Sequence, residues 1–126
     1  MSKKIIHSIK GPKAVGPYSQ GVISNNLLFL SGQIPIDPAT GQLVGPDIQT
    51  QTEQVLKNIS VLLEERFLNL KNVIKTTVFL IDLNDFSLMN EIYGSFFKDE
   101  YPARSTIQVS KLPRDARIEI EAIAYL

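Results

Sequence analysis

Val73-Ile74-Lys75-Thr76-Thr77-Val78-Phe79-Leu80-Ile81, halted at Asp82, is the stretch on which the fold turns. β-branched and large apolar residues dominate it, which predicts a strand over residues 73–81. Its alternating sets, Thr76, Val78, Leu80 and Thr77, Phe79, Ile81, are both largely apolar, the mark of a strand covered on both faces. Leu27-Leu28-Phe29-Leu30 has the same character. Each of these strands therefore needs two covering layers.

Working outward, helical spacing supplies one layer. Ile48, Val55, Leu56, Ile59, Leu62 and Leu63 recur on one side of residues 47–67, with Gln51, Glu53, Lys57 and Glu64 on the other, and Pro46-Asp47 suits a helix start. Phe86, Met89, Ile92, Tyr93, Phe96 and Phe97 mark a second helix from about residue 84, with Asn84 as its cap. Two helices cover only one sheet face in a chain of this length. The other face would be a large exposed apolar patch, which a monomer rarely tolerates, so the sequence predicts burial against further copies of the chain in a closed symmetric ring.

The remaining elements are strands and turns. A short N-terminal strand precedes residues 20–24 and 27–31, which form a hairpin around Asn25-Asn26. Asp37-Pro38-Ala39-Thr40-Gly41 is a tight turn where the chain leaves the sheet. Residues 104–110 and 117–125 close the chain as a final strand pair around Leu112-Pro113-Arg114-Asp115. The class is α+β, read as one domain over residues 1–126 with no internal repeat.

Composition narrows the chemistry. Thirteen basic and thirteen acidic residues cancel, which gives no long-range attraction to phosphate backbones or anionic lipid, so neither nucleic acid nor membrane is an expected partner. There is no cysteine, which excludes disulfides, thiolate zinc sites and a cysteine nucleophile. A single histidine, His7, leaves a serine triad or histidine metal site resting on one residue, so no metal and no cofactor are expected. The longest apolar runs fall far short of the ~20 residues of a membrane helix, and a cytoplasmic location is the simplest expectation.

Several residues are candidates for a site. Arg104, in Tyr101-Pro102-Ala103-Arg104-Ser105, offers a guanidinium fork that matches a carboxylate; the same residue would serve equally as half of an ion pair with Glu119 or Glu121. Glu119 and Glu121 share one strand face by period two, opposite Ile118, Ile120, Ala122 and Ala124. They suit proton transfer or holding a water, and they equally suit a strand facing solvent. Tyr18, in the loop Gly16-Pro17-Tyr18-Ser19-Gln20-Gly21, offers a hydroxyl to a ligand or a corner of the core. Ser31 and Gly32, at the end of the hairpin, offer a hydrogen bond and a close backbone approach, or simply end a strand. Asn90 interrupts the apolar face of the second helix as a ligand contact or a satisfied buried amide.

Five segments taken together carry a resemblance: Gly16-Pro17-Tyr18-Ser19-Gln20-Gly21, Ser31-Gly32-Gln33-Ile34-Pro35, Lys75-Thr76-Thr77-Val78-Phe79, Tyr101-Pro102-Ala103-Arg104-Ser105 and Ile118-Glu119-Ile120-Glu121-Ala122-Ile123-Ala124. In this order, over nearly the whole chain, they closely resemble the Rid family, the YjgF-like reactive-intermediate deaminases. The resemblance implies a chorismate-mutase-like fold, with a mixed β-sheet and two helices on one face. It further implies a homotrimer with sites between subunits, and hydrolysis of enamine/imine intermediates such as 2-aminoacrylate and 2-iminobutanoate to 2-keto acids and ammonia. By matching motif, Arg104 would bind the substrate carboxylate, Glu119 would position water, and Tyr18, Ser31, Gly32 and Asn90 would line the site. Thr106 stands where many members have a cysteine, and the segment from Phe97 to Tyr101 is shorter than in some relatives. A different reading gives the same cleft to a catalytically silent metabolite-binding or regulatory module.

Overall fold

The computed structural model describes residues 2–126. In chain order the elements are β1 (Lys4–Ile6), β2 (Gly21–Ser24), β3 (Leu27–Gln33), β4 (Ile36–Asp37), β5 (Gln42–Leu43), α1 (Ile48–Glu64), β6 (Val73–Leu80), α2 (Phe86–Phe97), β7 (Ala103–Gln108) and β8 (Ile118–Tyr125). The main sheet has the order β1-β2-β3-β8-β6-β7. β7 runs parallel to β6, and the other pairings are antiparallel, so the sheet is mixed. The class is α+β, as the sequence predicts.

Local chemistry explains most boundaries. Asn25 turns the β2–β3 hairpin with φ +56°, a left-handed conformation that Asn tolerates. Asp47 caps α1, its carboxylate accepting from the Thr50 amide at 2.9 Å. The buried stripe of α1 includes Val55, Leu56, Ile59, Leu62 and Leu63, and α2 adds Met89, Tyr93 and Phe97. These cover Leu28, Leu30, Val78, Leu80, Ile118, Ile120, Ala122 and Ala124 from the sheet in one continuous core.

Four expectations change. The last two strands are not paired with each other. The β6–α2–β7 crossover delivers β7 parallel to β6, leaving β8 to occupy the other side of β6, between it and β3. Asn84 does not cap α2; it lies in a 3-10 turn (Leu83–Asp85) where the Asp82 side chain accepts from its amide at 2.9 Å, and the helix proper begins at Phe86. Residues 37–41 do more than leave the sheet, because β4 and β5 pair across them as a separate two-stranded ribbon. Gln51 does not face water. It is buried, donating to the Val44 carbonyl at 3.0 Å and accepting from the Arg117 amide at 2.9 Å, because the loop before α1 folds over it.

The sheet face away from the helices is the one that lacks a cover. It carries Phe29, Phe79, Ile107 and Ile123, but also Lys75, Thr77, Ser105, Glu119 and Glu121, as the strand registers dictate. It is half apolar rather than uniformly so, with Phe29 42% and Ile107 46% exposed. One charged strut crosses the other side: Arg117 makes two hydrogen bonds to the buried Asp85, at 2.9 and 3.0 Å, joining the start of β8 to the start of α2.

Candidate functional site: two half-sites on opposite faces

Arg104 lies on the edge strand β7, level with Thr76 of β6 and turned toward the helices. Its guanidinium carbon sits 4.7 Å from the centroid of the Tyr93 ring and 5.5 Å from that of Phe86, so two aromatic faces cradle the charge. Tyr93 is itself fixed by a 2.7 Å hydrogen bond between its hydroxyl and that of Thr76. Burial raises its pKa, against the opposing pull of the Thr76 bond and the Arg104 charge. Tyr93 is therefore a neutral platform at ordinary pH.

No carboxylate answers Arg104. The ion pairs among the described residues are Lys57–Glu53, Lys111–Asp115 and Arg117–Asp85. The alternative of a pair with Glu119 or Glu121 fails for a geometric reason: both glutamates point from the opposite face of the sheet. Around Arg104 opens a cleft of about 310 Å³ lined by Asn90, Tyr93, Gly94, Tyr101 and Pro102. Asn90 is thus a half-buried amide lining this cleft. Thr106, two residues along the same strand face, holds a buried hydroxyl with no hydrogen-bond partner.

Glu119 belongs to a second group. The pairing of β3 with β8 slips between Leu30 and Gln33, so Ser31 and Gly32 form a bulge beside Glu121 and Glu119. Gly32 packs directly on the Glu119 side chain: a Cβ there would collide with the carboxylate, lying 2.8 Å from its carbon. Glu119 is half-buried, and its pKa is raised, chiefly by burial and further by the neighbouring Glu121 charge. Ser31 is not free to donate to a ligand, because its hydroxyl donates to the Ser19 carbonyl at 2.6 Å; its oxygen can still accept. That bond ties the Tyr18 loop to the bulge. Tyr18, 51% exposed, joins Gly32, Lys13, Gln33 and Arg114 around a cavity of about 370 Å³.

The candidate residues therefore fall into two clusters. Arg104 and Asn90 meet at the helix-side edge, while Tyr18, Ser31, Gly32 and Glu119 gather about the β3–β8 bulge. From the register, the Arg104 and Glu119 backbones lie two strands apart, roughly 10 Å, and three residues apart along the strands, roughly 10 Å. With opposite faces as well, the two side chains cannot serve one small molecule within one chain. Sequence reading missed the aromatic cradle, because Phe86 and Tyr93 read as core at helical spacing. It also missed Gln20, whose side chain accepts from the Ser8 amide and donates to the Ser8 and Pro12 carbonyls, bracing the loop that carries Lys13 and Tyr18.

The chain is thus an α+β domain with a cation stacked on two aromatic rings and unpaired among the described residues, a half-buried carboxylate of raised pKa, and only oxygen and nitrogen groups for chemistry apart from its methionines. Residues 8–126 match the family model described as Endoribonuclease L-PSP. A Yersinia pestis protein of the conserved Rid family superposes with a TM-score of 0.97 at 47% identity, covering 99% of this chain and 100% of that one. Human 2-iminobutanoate/2-iminopropanoate deaminase is 46% identical over 122 residues, 97% of this chain and 89% of that protein. The Escherichia coli protein TdcF, in a crystal structure with bound serine, superposes with a TM-score of 0.93 at 44% identity, covering 98% of each chain. This chain belongs to the Rid (YjgF/RutC) family. Among the described residues, no helix is long and apolar enough to cross a membrane.

Proposed function

We propose that this protein hydrolyses 2-imino acids, the tautomers of 2-aminoacrylate and its homologues, to 2-keto acids and ammonia. The site is a cleft in which Arg104 of one subunit faces Glu119 of the next in a homotrimer. The observation that carries this reading is the separation of the two charged groups onto opposite sheet faces, neither of them in an ion pair among the described residues. A closed ring brings an edge of one subunit against the open face of its neighbour and so joins complementary half-sites. The half-apolar open face, with Phe29 and Ile107 exposed, supports the same assembly.

The chemistry follows from the groups present. Arg104 takes the carboxylate in a bidentate grip, and the Tyr93 ring keeps the guanidinium in place. This fixes the imine carbon, which is electrophilic once its nitrogen is protonated. Glu119, with its raised pKa, accepts a proton from water as the oxygen adds to that carbon and passes it to the nitrogen. The C–N bond of the resulting carbinolamine then breaks, ammonia leaves, and the remaining hydroxyl gives its proton to the Glu119 carboxylate as it becomes the keto oxygen, which restores the acid form that protonates the next imine nitrogen. Water is consumed, and no oxidant or metal is needed. Positioning plus one proton carrier accounts for the step. Tyr18, Gly32 and Asn90 line the cleft, and Ser31 holds the Tyr18 loop.

Human and E. coli relatives support the substrate class, the first named for 2-imino acid deamination and the second crystallised with an amino acid. The endoribonuclease description of the family model points instead to RNA. Zero net charge, and a cleft sized for a metabolite, speak for the small acid. The test generates 2-iminobutanoate in place with a threonine dehydratase and traps the residual imine competitively. Ammonia release accelerates with the wild type and does not with Arg104→Ala. Absence of acceleration by the wild type would favour the silent binding module.

A further inference from the structure

Gly94 lies on α2, one turn after Asn90 and on the same side, and it forms part of the floor of the Arg104 cleft. Nothing in the fold requires glycine there. Its φ is not in the left-handed region, unlike those of Gly16, Gly41 and Gly45. A Cβ at this position would meet only the Tyr101 hydroxyl, at 3.8 Å, an ordinary contact. Gly32 is the opposite case, since there the Glu119 carboxylate occupies the space. Glycine inside a helix is nevertheless unfavourable relative to alanine, because it gives up more backbone freedom on folding. The chain thus retains a destabilising residue in a helix at the point where its cleft has no side chain.

We propose that Gly94 sets the size of substrate side chain that the Arg104 cleft accepts. This rests on the imino-acid reading above and makes it more specific. With the carboxylate on Arg104 and the reacting carbon toward the neighbouring subunit, the substituent on that carbon lies over Gly94, between Tyr93 and Tyr101. An open floor there admits branched or extended substituents. A methyl group at position 94 shortens the cleft by about the width of a methylene, and pockets discriminate such differences by about 10-fold or more. The inferred substrates are 2-imino acids with side chains larger than methyl, as well as the smallest ones.

The experiment uses the intact protein with imines made in place from alanine and leucine by an L-amino acid oxidase in the presence of catalase. Gly94→Ala should lower the leucine-to-alanine ratio of kcat/KM about 10-fold, and Gly94→Val further. The alanine variant should melt higher than the wild type, because the helix gains propensity. Binding gives a readout independent of turnover: 4-methyl-2-oxopentanoate should lose affinity in Gly94→Ala relative to 2-oxopropanoate. A wild type active on both imines, with an unchanged ratio and unchanged relative affinities in Gly94→Ala, overturns the role of Gly94 alone. A wild type inactive on both overturns the deaminase reading, and the substrate assignment with it.

Discussion

Replacing Gly32 by alanine tests whether the bulge exists to seat Glu119. The new Cβ would lie 2.8 Å from the Glu119 carboxyl carbon and closer still to one carboxylate oxygen. Comfortable carbon–carbon contact begins at about 3.5 Å, so the carboxylate must retreat by roughly 1 Å or swing to another rotamer. Only one side chain end has to move, on a partly exposed face, so the fold and its assembly survive. Glu119, the proposed proton carrier, however, leaves its station. A misplacement of this size lowers turnover by about 100-fold. In the proposed site substrate capture depends on Arg104 of the neighbouring subunit, so KM should change by no more than about threefold. The assay is steady-state ammonia release from 2-iminobutanoate, with circular dichroism and sedimentation to verify fold and assembly. A Gly32→Ala protein that keeps kcat within about twofold of wild type would refute the seating of Glu119 and the proton-transfer role built on it.

Three further outcomes are expected. Burial and Glu121 raise the folded-state pKa of Glu119, so the native state retains a proton that the unfolded chain releases. The native state therefore loses stability as pH rises from the unfolded value of about 4.3 through the higher folded one. Glu119→Gln should melt above wild type at about pH 7 and converge with it near about pH 3.5; a constant difference between the two by calorimetry would contradict the raised pKa. Asp85→Ala strands the Arg117 guanidinium and should cost about 2 to 4 kcal/mol in urea unfolding, less than a fully buried pair because Arg117 is partly exposed. Arg104→Lys keeps the charge but loses the fork and its stacking on Tyr93, so KM should rise about 10-fold or more with kcat less affected; an unchanged KM would argue against bidentate capture.

Period-two and helical patterns were enough to read both helices, the first hairpin and the inward face of β8, because burial imposes those periodicities directly. Strand adjacency was not legible in this way. Residues 104–110 and 117–125 are neighbours in sequence but flank β6 in the sheet, and that order is set by the crossover through α2, a long-range choice without a local signature. The same limit hid the faces: period two places Glu119 with Glu121, but only the register with β6 shows that Arg104 points the other way. Gly32 read as an ordinary strand end because its constraint comes from a side chain 87 positions away in sequence. Tyr93 signalled core correctly, whereas Phe86 at the start of α2 is 39% exposed and outside the core; both rings also stack on a cation, a use that hydrophobicity does not reveal.

The intersubunit site is tested most directly by complementation. Arg104→Ala and Glu119→Gln are each expected to be inactive, and unfolding them together followed by refolding as a mixture would, in the proposed trimer, combine them at random. If each site draws Arg104 from one subunit and Glu119 from its neighbour, about a quarter of the sites in an equal mixture regain both intact groups. Ammonia release from 2-iminobutanoate is then expected at about that fraction of the wild-type rate. A mixture as inactive as its two components would contradict it.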